Sequence, residues 1–192
     1  ERIQRFAFEI ARSRPRKLLT LVTKSNAQRH GMVMWDEIFE EISQDYRDIT
    51  TDKMLVDAMT TRMVLDPQSI DTVVASNLHA DILTDLAASL SGSMGIAPTG
   101  NLDPEKRHPS MFEPIHGSAF DIMGQGIANP IGSYWSAVMM LENLGELKAS
   151  QRLMSAIEKL TSDKKILPKD LGGKSSTKEV TKAMINIISG KN

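Results

Sequence analysis

The sequence predicts an α/β fold, and two features of its pattern support that class. Segments with apolar residues at helical spacing alternate with short runs of aliphatic and β-branched residues, which favour strands. Clusters of glycine, proline and polar residues separate these segments, where turns are expected. Strands that alternate with helices along a chain are typical of an open sheet with helices packed against it.

The first part of the chain is predicted to contain two strands and four helices. A helix over residues 1–13 leads into a strand over 17–23 (KLLTLVT), which leaves Lys24 at its carboxyl end. The run DTVVAS (71–76) predicts a second, buried strand, and Asn77 is a plausible cap for the helix after it. The other helices are predicted over 28–43, 53–65 and 79–90.

The second part of the chain is predicted to be mainly helical. Gly92 and Gly95 interrupt the helical pattern and precede a loop rich in proline and polar residues. Thr177 and Glu179 lie near a plausible helix start. The predicted helices cover 131–144, 147–161 and 177–189.

Composition argues against several classes of protein. The 23 lysines and arginines nearly balance the 24 aspartates and glutamates, so no cationic field is available to hold nucleic acid or an anionic membrane surface. No apolar stretch approaches the roughly 18 residues that a membrane-spanning helix needs. The absence of cysteine excludes disulfides and thiolate chemistry and fits a cytoplasmic location.

Two aspartates are spaced to bind one cation. Asp81 and Asp85 are four residues apart in a predicted helix, so their side chains project from one face. The preceding strand would place that helix at the carboxyl edge of an open sheet, where ligands usually bind. Carboxylate oxygens in a chain without cysteine suit Mg²⁺ or Mn²⁺ better than zinc. The alternative is that both acids only complement the positive end of the helix dipole.

A third aspartate, Asp57, lies in MLVDAMTTRMVL, an apolar segment with a helical pattern. Met54, Leu55, Ala58 and Met63 are spaced to form one buried stripe of that helix. A carboxylate there costs several kcal/mol unless a cation or hydrogen-bond donors satisfy it. Two interpretations stay open: Asp57 faces solvent beside the stripe, or it is a third ligand of the cation.

The segment from residue 113 to 130 has the features of a nucleotide-binding loop. It contains three glycines and two prolines, which prevent a helix or central strand and permit close approach to the backbone. Free backbone N–H groups there could bind a pyrophosphate or an adenine edge, although the GxGxxG pattern is absent. Asp121 could accept hydrogen bonds from a ribose diol. His116 could contact the nucleotide or be an ordinary surface histidine.

Five motifs follow one another in an order that is known from one enzyme family. They are LVTKSNAQRHGMVMWDEIF, VDAM, NLHADILTDLAASLSGSMGIAP, MFEPIHGSAFDIMGQGIANP and DLGGKSST. Over nearly its whole length the chain resembles the β-decarboxylating dehydrogenases of (2R)-hydroxy acids, the isocitrate/isopropylmalate dehydrogenase family. The first and fourth motifs are most similar to its tartrate dehydrogenase/decarboxylase and D-malate dehydrogenase branch. The resemblance implies an isopropylmalate-dehydrogenase-like fold, here a partial chain without the N-terminal strands.

The resemblance also implies roles for individual residues. Asp81 and Asp85 match the Mn²⁺ or Mg²⁺ ligands of one subunit, and Asp57 matches the acid that the neighbouring subunit contributes to the same site. Lys24 matches the lysine that works with that acid to move the substrate hydroxyl proton, so a homodimer with shared active sites is expected. The acid at Asp121 implies NAD, because it would repel the 2′-phosphate of NADP. The residues that match the adenosine-binding loop are Glu113, His116, Gly117, Ser118, Ala119, Asp121 and Asn129.

The implied activity is NAD- and divalent-metal-dependent oxidation, with or without β-decarboxylation, of a (2R)-hydroxy dicarboxylic acid such as tartrate or D-malate. Residues 1–97 are expected in the dimerisation and metal-site domain and 98–192 in the nucleotide-side domain. The family's substrate-binding arginines and proton-donating tyrosine lie upstream of the matching motifs, so little or no turnover is expected from this chain alone. Two alternatives stay open: 3-isopropylmalate as the substrate, or a non-catalytic dimerisation subunit of the same fold.

Overall fold

The computed structural model describes residues 1–190. The chain divides into two compact units, the first covering Glu1–Ala87 and the second beginning at Ala88. Helices and parallel strands alternate in the first unit, which confirms the predicted α/β class. Within the described residues, no helix is both long and apolar enough to cross a membrane.

The first unit is built on a three-stranded parallel sheet. Strand β1 (Leu18–Thr23) lies in the centre, between β2 (Thr50–Leu55) and β3 (Thr72–Val74). The register pairs Thr23 with Leu55, so β1 and β2 end level with each other. The helices are α1 (Arg2–Ser13), α2 (Gly31–Ser43), α3 (Val56–Leu65) and α4 (Asn77–Leu90).

The central strand separates two apolar clusters. Leu19 and Leu21 of β1 belong to the larger one, in which Phe8 of α1 stacks on Phe39 and Tyr46 with ring centroids 5.0 and 4.6 Å away. Successive side chains of a strand alternate between its faces, so Val22 joins a second cluster with buried residues of α3 and α4. Burial on both faces is typical of the central strand in a parallel sheet.

The second unit combines a short antiparallel hairpin with three helices. The hairpin pairs β4 (Pro98–Asn101) with β5 (Met111–Pro114). The helices are α5 (Ile131–Asn143), α6 (Leu147–Asp163) and α7 (Thr177–Ile188). Their facing sides form one core of buried residues, Ile131, Val138, Ala156, Ile157, Leu160, Val180 and Met184.

Strand β2 corrects the prediction of a helix over 53–65. The helix begins only at Val56, and residues 50–55 pair in parallel with β1. Asp52 and Lys53 interrupt the apolar pattern of this strand, so its extended conformation depends on pairing with a distant segment. The prediction that the helix stops near residue 66 is confirmed, because α3 ends at Leu65.

Helix starts and the hairpin bring further corrections. Asn77 is the first residue of α4 and not its cap, and the hydroxyl of Ser76 accepts a hydrogen bond from the His79 backbone N–H at 3.4 Å. Helix α7 begins with a capping box in which Ser176 and Glu179 bond to each other's backbone N–H groups. The hairpin lies where only a loop was predicted, because strands of four residues are too short to show an alternating pattern.

Candidate functional site

Lys24 and Asp57 meet at the carboxyl edge of the sheet. Lys24 directly follows β1, and Asp57 is in the first turn of the helix that follows β2. Because these parallel strands are neighbours and end level, the residues just beyond them lie side by side. Lys24 Nζ donates a hydrogen bond to Asp57 Oδ1 at 2.6 Å. The structure therefore brings together, within one chain, the two residues predicted to move a proton.

Asp57 is open to solvent, with 65% of its side chain exposed, whereas the side chain of Lys24 is 28% exposed. The proposed buried stripe around Asp57 was wrong, because Met54 and Leu55 belong to β2 and the buried residue of α3 is Met59. The hydrogen bond from Lys24 lowers the pKa of Asp57 below its ordinary value. Asp57 is therefore a charged carboxylate at physiological pH, accessible to solvent and to a ligand.

Asp81 and Asp85 occupy the exposed face of α4. They are one helical turn apart, opposite the buried residue Leu83. Leu78 and Ile82 share this face and are 64% and 54% exposed. The carboxylate oxygens of Asp81 and Asp85 are of the type that Mg²⁺ and Mn²⁺ prefer.

No group of three or more acidic or histidine side chains within residues 1–190 of a single chain is arranged to hold a metal ion. The predicted site takes Asp81 and Asp85 from one subunit and Asp57 from another. A single chain does not test that arrangement, so the metal site stays a prediction.

The second unit contains a pocket of about 930 Å³. The loop after β5, the segment before β4 and the residues around the start of α7 line it. Among the predicted cofactor residues, those in the lining are His116, Gly117, Ser118, Ala119 and Asn129. Two predicted residues are not in the lining: Glu113, which belongs to β5, and Asp121, which is exposed. Asp121 nevertheless lies in sequence between Ala119 and Ile122, and both of these line the pocket. The sequence prediction and the pocket thus largely coincide.

The backbone of the pocket loop is open to a ligand. A Cβ added at Gly117, Gly124 or Gly126 would meet no atom within 4 Å, so the main chain there is uncovered. Gly124 and Gly126 have φ values of +78° and +68°, which favour glycine, and Ala119 adopts a positive φ of 44°. Bare main chain in a cavity of this volume fits a dinucleotide, whose phosphates and sugars need close backbone approach.

His116 and Asn129 are held by local hydrogen bonds. Nδ1 of His116 lies 3.0 Å from the Gly117 carbonyl oxygen, which can only accept, so Nδ1 is the donor of this hydrogen bond. Asn129 is 8% exposed, and its Oδ1 accepts a hydrogen bond from the Ile131 backbone N–H at the start of α5. Its Nδ2 donates to Asp170 Oδ2 at 2.8 Å. Asn129 therefore holds the start of α5 and also borders the pocket.

Sequence reasoning missed several polar residues of the pocket. Ser93, Lys169, Asp170 and Lys178 line it together with the predicted loop. Asp170 belongs to the motif DLGGKSST, which contributed to the resemblance but suggested no ligand contact. These residues are distant in sequence from the loop, so no local pattern linked them to it.

A protein-family model described as isocitrate/isopropylmalate dehydrogenase matches residues 1–187. The chain belongs to this family. It is 64% identical to a probable tartrate dehydrogenase/decarboxylase from Agrobacterium vitis, over 100% of this chain and 53% of that protein. It is 45% identical to the D-malate dehydrogenase [decarboxylating] of Escherichia coli (strain K12), over 98% of this chain and 53% of that enzyme.

A solved structure agrees with this family membership. The crystal structure of isocitrate dehydrogenase from Methylococcus capsulatus aligns with a TM-score of 0.93 and 37% identity, covering 100% of this chain and 56% of that one. The predicted fold and its partial extent are thereby confirmed. The chain spans about half the length of the curated relatives it matches.

Proposed function

We propose that the full-length protein oxidises a (2R)-hydroxy dicarboxylic acid such as tartrate or D-malate, with or without β-decarboxylation, using NAD and Mn²⁺ or Mg²⁺. The observation that carries the proposal is the hydrogen bond between Lys24 and Asp57 at the sheet edge. The names of the relatives from Agrobacterium vitis and Escherichia coli support the substrate class.

Lys24 and Asp57 form a path for the substrate's hydroxyl proton. Lys24 Nζ would accept the proton from the hydroxyl, with Asp57, whose Oδ1 is hydrogen-bonded to Nζ at 2.6 Å, as the relay. When bound, the divalent cation supplies Lewis-acid polarisation of the substrate oxygens, and NAD supplies the hydride acceptor.

Asp57, Asp81 and Asp85 are the residues that would hold the cation, and the pocket loop would hold the adenosine half of NAD. Asp121 would favour NAD, because its carboxylate would repel a 2′-phosphate. An Asp121→Asn variant tests this role without a change in side-chain size. We expect its kcat/KM for NADP to rise relative to that for NAD, whereas an unchanged ratio would contradict the role of Asp121.

The protein is proposed to act as a homodimer with shared active sites. The exposed apolar residues Leu78 and Ile82 flank the two aspartates of α4 and suit a surface that a second copy covers. Each site would then combine Asp81 and Asp85 of one subunit with Lys24 and Asp57 of the other.

Mixing inactive variants of the full-length protein tests the shared site. A hybrid of Lys24→Ala and Asp81→Ala subunits would contain one intact site and one doubly damaged site. Random exchange makes about half the dimers hybrids, so about one quarter of the wild-type rate should return. The control mixes Lys24→Ala with Asp57→Ala, which damage the same half of the site and should show no recovery. Equal recovery, or none, in both mixtures would refute the shared site.

The activity itself is tested by NADH formation at saturating NAD and Mn²⁺. The full-length protein is offered D-malate, two tartrate isomers, 3-isopropylmalate and isocitrate, with Lys24→Ala as the inactive control. We expect D-malate or tartrate to give the highest kcat/KM. Preference for 3-isopropylmalate would contradict the proposed substrate class, and inactivity on all five compounds would favour a non-catalytic subunit.

A further inference from the structure

One carboxylate connects three separate walls of the pocket. Asp170 lies in the turn between α6 and α7 and receives hydrogen bonds at Oδ2 from the Ser93 hydroxyl and from Asn129 Nδ2, the latter at 2.8 Å. Ser93 precedes the hairpin, and Asn129 lies just before α5, which begins at Ile131. All three residues line the pocket. A single oxygen atom thus fixes segments that are far apart in sequence.

The close packing around Asp170 shows that this junction is built into the fold. A Cβ added at Gly95 would lie 2.5 Å from Asp170 Oδ2 and 3.0 Å from Asn129 Cβ, so only glycine fits between them. The Ser93 hydroxyl also accepts a hydrogen bond from the Gly95 backbone N–H at 2.8 Å. The carboxylate, the amide and the glycine therefore form one interlocked unit.

Asp170 determines which hydrogen-bonding groups Asn129 can offer to a ligand. A side-chain amide has two N–H donors and one acceptor oxygen. In Asn129 the oxygen is bonded to the Ile131 N–H and one donor is bonded to Asp170. The amide plane is fixed from both ends, which leaves its second N–H as the one group available to an acceptor atom of the ligand.

We infer that Asp170 is a positioning residue of the cofactor pocket, which acts through Asn129 to hold an N–H donor ready for an acceptor on the nucleotide. This inference rests on the proposed function, because it assumes that the pocket binds the adenosine half of NAD. The carboxylate itself has no part in the transfer of hydride or proton. Its loss should weaken cofactor binding and leave the chemical step unchanged.

Calorimetric titration of the full-length protein with NAD, without substrate, measures this effect directly. Asp170→Ala should raise the Kd for NAD about tenfold, which corresponds to about 1.4 kcal/mol. Asp170→Asn keeps an acceptor oxygen on a side chain of the same length, so its Kd for NAD should remain within about threefold of the wild-type value. Asp163→Ala, at an exposed acid at the end of α6 outside the pocket lining, is the control and should not change the Kd.

Kinetics and a double variant separate positioning from general damage. In Asp170→Ala the KM for NAD should rise, whereas kcat at saturating NAD and the KM for the hydroxy acid should stay unchanged. Combining Asp170→Ala with Asn129→Ala should weaken NAD binding no more than Asn129→Ala alone, because both changes remove the same interaction. Should Asp170→Ala fail to fold, Asp170→Ser replaces it, since the serine side chain is too short for its hydroxyl to accept both hydrogen bonds.

Three results would overturn the inference. These are an unchanged Kd for NAD in Asp170→Ala, additive losses in the double variant, or an equal fall of affinity in Asp170→Asn, which would indicate a direct charge contact with the ligand. Failure of the proposed function gives a different result, because wild-type protein would then bind no NAD at all.

Discussion

Gly95→Ala should loosen the pocket by displacing Asp170. The added methyl group would lie 2.5 Å from Asp170 Oδ2 and 3.0 Å from Asn129 Cβ. The carboxylate could move aside only by giving up its hydrogen bonds from Ser93 and Asn129. Asn129 cannot move as easily, because its atom nearest to the added methyl group is Cβ and its Oδ1 is bonded to the start of α5.

The expected loss of stability depends on which of two alternatives costs less: a retained steric clash or lost hydrogen bonds. Overpacking a filled position typically costs about 1–3 kcal/mol. A hydrogen bond to a charged group contributes about 1.5–3 kcal/mol, and the lower value applies here because Asp170 is exposed. Since relief of the clash and retention of the hydrogen bonds exclude each other, the cheaper alternative sets the cost, and we expect an unfolding free energy lower by about 1–3 kcal/mol.

Gly117→Ala is the matched control. Gly117 lines the same pocket, has no atom within 4 Å of an added Cβ and does not have a positive φ. The alanine should therefore be neutral or stabilise the fold by about 0.4–1 kcal/mol, because it restricts the unfolded chain.

Urea denaturation of the full-length variants measures the two stabilities, and hydrogen exchange locates the change. In Gly95→Ala, amide protection should fall over residues 93–97, 129–131 and 168–173, whereas in Gly117→Ala it should match the wild type there. Equal stability of the two variants, or loss of protection spread evenly over the second unit, would refute the reasoning.

Three further outcomes follow from contacts in the first unit. Phe8→Ala should lower the unfolding free energy by about 3–5 kcal/mol in urea denaturation, and Phe8→Leu by a smaller amount, because Phe8 is fully buried and stacks on two rings. Lys24→Met should raise the pKa of Asp57 toward its ordinary value in a carboxyl NMR titration, since the hydrogen bond from Lys24 depresses it. The hydrogen bond from Arg12 lowers the pKa of Asp48 to about 2, so Arg12→Met should raise the pKa of Asp48. The stability that this pair contributes should be present above the ordinary carboxyl pKa and should be lost as the pH falls toward 2.

Helices were predicted more completely than strands, for a physical reason. Every predicted helix has a counterpart in the described residues, because a helix buries a face whose spacing is visible in its own sequence. Strand β1 was predicted because burial on both faces favours an unbroken run of aliphatic and β-branched residues. Strand β2 and the hairpin were missed, since their extended conformation depends on partners that local sequence does not identify.

The site shows a similar division. The pocket loop could be predicted because its glycines and polar residues lie in one continuous segment, and five of the seven predicted cofactor residues line the pocket. Asp170 could not, because its role arises from contact with Ser93 and Asn129, which are 77 and 41 residues away. Asp57 is exposed to solvent, and its role as a metal ligand stays a prediction.

The meeting of Lys24 and Asp57 depends on the register of two strands. Thr23 pairs with Leu55, and the two functional residues follow these partners by one and two positions. A shift of one residue would move every side chain of one strand to the opposite face, which is prevented here by the burial of Leu21 and Val22 on opposite sides of the sheet. The two apolar clusters that stabilise the first unit therefore also fix the distance between the lysine and the carboxylate. Core substitutions in β1 that slip the register should consequently abolish the hydrogen bond between these residues, even though neither of them is changed.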